Sequence, residues 1–167
     1  KEAEAAVLAA IDYQGPVYIR LGRAETKDIH DDSYHFEWGK AEVLRQGSDV
    51  TIFATGIMTA KALDAAETLA KQGVQAEVIN VHTIKPLDEE TVIASAKKTG
   101  KVVTAEEHSI IGGLGSAVAE VLARQCPTKQ AFVGVQDSFG ESGSPDDLLE
   151  KYGLTAEVIV KAAVGLQ

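Results

Sequence analysis

From about residue 40 onward, short apolar runs alternate with stretches of helical periodicity, and this alternation narrows the fold more than any other feature. Residues 41–46 (AEVLRQ), 50–55 (VTIFAT), 76–81 (AEVINV), 101–105 (KVVTA) and 131–135 (AFVGV) read as strands. A helix over about 57–72, with Leu63, Ala66 and Leu69 on one face, ends at Gly73. Asp88 caps a second helix, Glu89 and Glu90 suit its positive end, and Gly100 closes it. A third helix spans 113–125. Strands joined through helices pair mostly in parallel, because a parallel neighbour needs a long crossover and the helix supplies it. The expectation is an α/β fold: a three-layer sandwich with a five-stranded, mainly parallel (mixed) sheet, and AEVLRQ as its half-buried edge strand. Two short helices finish the chain. Ser144-Pro145-Asp146-Asp147 opens one, Gly153 stops it, and Thr155 caps the other.

The first forty residues break this rhythm. Residues 1–12 (KEAEAAVLAAID) suit a helix, Gly15-Pro16 stops it, and 17–21 (VYIRL) form a short β-type run. From Gly22 to Lys40 the pattern gives way to polar and aromatic residues, which places a domain boundary near residue 37. The chain starts at Lys1, and its one methionine is Met58, so a piece of a longer polypeptide is expected. A strand at 17–21 without its sheet would leave backbone groups unpaired. Residues 1–30 are therefore expected to pack on the following domain or to pair with another copy.

Composition excludes several classes. An apolar share of 45% in 167 residues supports a packed core of one domain plus a remnant. The lone Cys126 rules out a disulfide framework and a cysteine-based zinc cluster. A net charge of −9 argues against nucleic acid and against anionic membrane surfaces, and no apolar run is long enough to cross a bilayer. A cytoplasmic location fits these features.

Chemistry in an open α/β sheet gathers beyond the carboxyl ends of the strands. Here those ends carry Thr55-Gly56-Ile57, His82–Pro86, Glu106-Glu107-His108 and Gln136-Asp137-Ser138. The GGLGS run at 112–116 opens a helix, so its glycines could bring backbone N–H groups to an anion. It lacks the dinucleotide and P-loop fingerprints, and close helix–sheet packing explains Gly112, Gly113 and Gly115 equally well. Glu106, Glu107 and His108 could form an acid/base group or a polar rim that meets a neighbouring loop or subunit, although adjacent residues point different ways and all three cannot serve one atom. His30, His35 and His82 have no metal-site spacing and read as ordinary loop residues, and no catalytic or metal-ligating residue is assigned. Arg20 and Arg23, at the end of an apolar run in an acidic chain, offer a local anion site or two surface ion pairs.

Residues 15–23 (GPVYIRLGR), 82–88 (HTIKPLD), 104–116 (TAEEHSIIGGLGS) and 139–154 (FGESGSPDDLLEKYGL) together resemble, in order, the C-terminal end of transketolase. The likeness is greatest to the form split into two polypeptides in some bacteria and archaea. Deoxyxylulose-phosphate synthase and the beta chains of 2-oxo acid dehydrogenases share this domain. The resemblance implies a tail of the pyrimidine-binding domain at 1–37 and a complete C-terminal domain at 38–167. It implies an enzyme that moves a two-carbon ketol unit between sugar phosphates in the pentose phosphate pathway. Such an enzyme uses thiamine diphosphate and a divalent metal, magnesium or calcium, neither of which is expected on this fragment. Its partners would be the N-terminal diphosphate-binding and pyrimidine-binding domains, in a homodimer. Arg23 matches the arginine that contacts the substrate phosphate, and Arg20 a neighbour of less certain role. The fragment alone is expected to be inactive, with a structural role at a dimer interface. A stand-alone anion-binding module is the alternative from another class.

Overall fold

The computed structural model describes residues 1–22 and 25–166. After helix α1 (Glu2–Ile11), the chain forms β1 (Glu42–Arg45), β2 (Val50–Ala54), α2 (Ile57–Lys71), β3 (Ala76–Asn80) and α3 (Glu89–Thr99). It continues through β4 (Lys101–Ser109), α4 (Leu114–Gln125), β5 (Lys129–Val135), α5 (Pro145–Lys151) and α6 (Ala156–Gly165). The strands form one sheet in the order β1-β3-β2-β4-β5. Edge strand β1 runs antiparallel to β3, and the other pairings are parallel. The expected five-stranded, mixed sheet is the one observed.

Side chains alternate across the sheet, as the pleat requires. Val50, Ile52, Ala54, Val78, Val103 and Ala105 face α2 and α6 and form one core with Met58, Leu69 and Ile159. Phe53, Ile79 and Val102 face the other way, onto Val92 of α3 and Val118 and Leu122 of α4. Burial of each such large side chain contributes about 1.5–3 kcal/mol. Polar positions inside the strands are paired. Thr51 donates to Glu77 at 2.9 Å, and Lys98 of α3 reaches the same carboxylate, whose residue is 1% exposed.

Helix ends follow the sequence. Asp88 accepts from the Thr91 N–H at 3.1 Å and also from the Ala41 N–H at 3.0 Å, which ties the start of α3 to the entry of β1. Gly100 ends α3 in the left-handed region at φ 67°. Ser144 and Thr155 accept from the N–H groups of Asp147 and Val158.

Two expectations need correction. Residues 17–21 form no strand, because a β-type run needs a neighbouring strand and this sheet offers it none. Strand β4 does not stop at Ala105 but runs to Ser109, so Glu106, Glu107 and His108 lie on the strand.

Candidate functional site: the rim beyond β4 and the N-terminal arm

Glu106 decides what the glycine-rich turn can do. Its side chain lies on the face of β4 that α4 covers, and it is 2% exposed. One carboxylate oxygen accepts the Leu114 N–H at 2.7 Å and the other the Gly115 N–H at 2.8 Å. These are donors that helix geometry leaves without intrahelical partners, at the positive end of α4. The Gly112 N–H donates to Ser116 Oγ at 2.8 Å. Backbone groups that the sequence offers to an outside anion are thus engaged from within.

Glycine is required here by space. A Cβ at Gly113 would stand 1.9 Å from Glu106 Oε2. A Cβ at Gly115 would stand 2.5 Å from the Phe132 ring. Gly112 has φ 80° and open space around it. Glu107 and His108, on the outer part of the strand, are exposed. The His108 ring meets the Ser109 carbonyl at 2.9 Å and lies 4.0 Å from Glu106 Oε2. The three neighbours therefore do not converge on one reacting atom.

A second polar assembly sits where the N-terminal arm crosses the C-terminal end of β3. His30, 4% exposed in its side chain, has Nε2 3.3 Å from Glu2 Oε2 and Nδ1 3.3 Å from Glu42 Oε2. Asn80 donates to the same Glu2 oxygen, and the His30 ring lies on Tyr34 with centroids 3.9 Å apart. Nearby, the His82 ring faces Phe36 at 4.5 Å, and Nδ1 meets Thr83 Oγ1 at 2.8 Å. Burial pushes His82 down, against the pull of Glu2, with His30 adding to the lowering. Burial, then Glu2 and Glu42, push the Tyr34 phenol far up. Burial raises Glu42, with His30 opposing and Glu2 and Asp31 adding. The sequence reading kept His30 and His82 as separate loop residues, and the fold brings them together. Glu2 and Asn80 are 78 positions apart, so no local pattern could have shown it.

The family described as transketolase, C-terminal domain, matches residues 39–159. The chain belongs to the transketolase C-terminal domain family. It is 57% identical over 162 residues to the 6-deoxy-6-sulfo-D-fructose transketolase subunit SqwH of Clostridium sp. (strain MSTE9), covering 97% of this chain and 50% of that one. It is 40% identical over 158 residues to 1-deoxy-D-xylulose-5-phosphate synthase of Desulforudis audaxviator (strain MP104C), covering 92% of this chain and 25% of that one. A solved structure titled "Split gene transketolase, inactive beta4 tetramer" superposes with a TM-score of 0.94 at 53% identity, over 97% of this chain and 53% of the other. The chain thus spans between a quarter and about half of the length of these proteins.

Ahead of the matched transketolase domain, the arm carries Arg20, whose guanidinium donates to the Glu107 carbonyl at 3.2 Å while staying exposed. Arg20 therefore tethers the arm to the outer part of β4. Arg23 lies outside the described residues.

Proposed function

We propose that this chain is the C-terminal part of a split transketolase, a structural piece that acts in an assembly and not alone. In this reading residues 1–37 complete the pyrimidine-binding domain of the full enzyme and 38–167 form the C-terminal domain, a division supported by the start of the family match at residue 39. The observation that carries the reading is the state of the N-terminal segment. Helix α1 has no buried residue, and Val7, Leu8, Ile11, Tyr18 and Leu21 stand 47%, 58%, 74%, 87% and 59% exposed. Apolar surface of this density marks a face that another part of an assembly covers.

The assembly would move a two-carbon ketol unit between sugars that carry an anionic tail, with the pentose phosphates first among them. Thiamine diphosphate with magnesium or calcium supplies the carbanion chemistry in such an assembly. The described residues of this chain do not fit that cofactor. The first donors of α4 are taken by Glu106, and among the described residues no group of three or more His, Cys, Asp or Glu side chains is placed to hold a metal. Arg23, with Arg20 beside it, would meet the anionic tail and spend remote binding energy on positioning. The remaining partners are the diphosphate-binding and pyrimidine-binding parts and a second copy in a homodimer, in the cytoplasm.

The test is reconstitution. The chain alone, given thiamine diphosphate, magnesium, xylulose 5-phosphate and ribose 5-phosphate, is expected to give no turnover. Adding the diphosphate-binding and pyrimidine-binding parts of a transketolase is expected to give activity that falls at least tenfold in Arg23→Ala, chiefly through KM. A parallel arm with 6-deoxy-6-sulfofructose as donor, the sugar named for the Clostridium relative, distinguishes a phosphate from a sulfonate tail. Turnover by the chain alone overturns the reading.

A further inference from the structure

We propose that His30 is a doubly protonated clamp that fastens the N-terminal helix to the edge of the C-terminal sheet by bridging Glu2 and Glu42. A neutral imidazole has one N–H and one lone pair, so it can satisfy only one of two facing carboxylates. Both ring nitrogens of His30 face a carboxylate oxygen at 3.3 Å. Glu42 Oε2 is buried and has no aligned hydrogen-bond donor, and its close polar neighbour is His30 Nδ1 at ion-pair distance. In the neutral ring, one nitrogen lone pair would face a carboxylate oxygen, an unfavourable arrangement for a half-buried anion.

Three further features fit an imidazolium at this place. The ring lies on the face of Tyr34 at 3.9 Å between centroids, where a cation is attracted to the aromatic face. The groups around it are Glu2 from α1, Asp31 and Tyr34 from the arm, Glu42 from β1, Asn80 from β3 and His82 beyond it. The nearby carboxylates outnumber the cations, and Lys1 is already paired to Asp32. His82, the other imidazole near Glu2, is pushed down by burial. Glu2 also accepts from Asn80, so the clamp ties α1 to two strands, β1 and β3.

The bridge is complete while His30 holds its second proton and is lost as that proton leaves with rising pH. The arm's attachment should therefore weaken toward the alkaline side. Side-chain 15N spectra of the full chain at about pH 6, below the ordinary histidine midpoint, test the protonation directly. Both His30 nitrogens are expected at the imidazolium position, and His82 as one neutral tautomer. The single tryptophan, Trp38, which contacts Tyr13 of the arm at 5.2 Å, reports attachment. Its emission is expected to shift to the red as pH rises. In His30→Phe, which keeps the stacking and removes both donors, the emission should be red-shifted at every pH and should not respond. A neutral single tautomer of His30 at the lower pH overturns the proposal. So does an unchanged Trp38 response in His30→Phe. Should that variant fail to fold, Glu42→Gln, which leaves one carboxylate facing the ring, is read instead: the red shift then starts at lower pH, and an unmoved response counts against the clamp.

Discussion

The turn beyond β4 and the arm before β1 are both polar, and they are held in opposite ways. At the turn, Glu106 sits inside the domain and satisfies two adjacent N–H groups, and Gly113 and Gly115 let the chain close over it. The arm has no apolar anchor in α1 and touches the domain through Glu2, Arg20, Lys27, His30, Phe36 and the Tyr13–Trp38 contact. The difference teaches what each region needs. The turn is complete within this chain, whereas the arm keeps its apolar surface for something else.

Substitutions can break this contrast, and the expected effects descend from the turn to the arm. Gly115→Val should be the most damaging, by about 3 kcal/mol or more, because its side chain would enter the Phe132 ring. Chemical denaturation checks it. Glu106→Ala should cost about 2–3 kcal/mol, since two buried N–H groups at the head of α4 lose a charged acceptor. Lys98→Met should cost about 1–2 kcal/mol. It strands the buried Glu77 carboxylate, but Lys98 itself is 39% exposed, so water already screens part of the pairing.

Acid adds a fourth test. Burial opposes ionisation of Asp88, but the Ala41 and Thr91 N–H groups and the Thr91 hydroxyl outweigh it and hold the carboxyl below its ordinary value. A depressed carboxyl contributes stability above its unfolded midpoint and loses it as pH falls through the folded one. Melting temperature should therefore drop below about pH 4, and Asp88→Asn should flatten part of that drop. At the small end, Leu8→Asp on α1 should change domain stability by no more than about 0.5 kcal/mol, because the side chain touches no core.

Much of the fold was legible because its signals are local. The alternating runs place β2, β3 and β5, and Asp88, Ser144 and Thr155 mark helix starts that the backbone then uses. Polar residues misled the reading at the end of β4. Glu106 follows Ala105 in a run that resembles a loop, yet the strand continues because Glu106 has a helix start to neutralise it. The run at 17–21 has strand composition and no strand, since composition cannot supply a partner. The His30 assembly was invisible for a different reason. It joins residues from α1, the arm, β1 and β3 that only the finished topology brings within reach.

Hydrogen exchange on the isolated chain tests the contrast most directly, by comparing the amides of α1 with those of Leu114 and Gly115. The account predicts that the Leu114 and Gly115 amides exchange only with global unfolding, while α1 exchanges orders of magnitude faster through local opening. Protection of α1 equal to that of α4 in the isolated chain would contradict it, because the arm would then be finished without any partner.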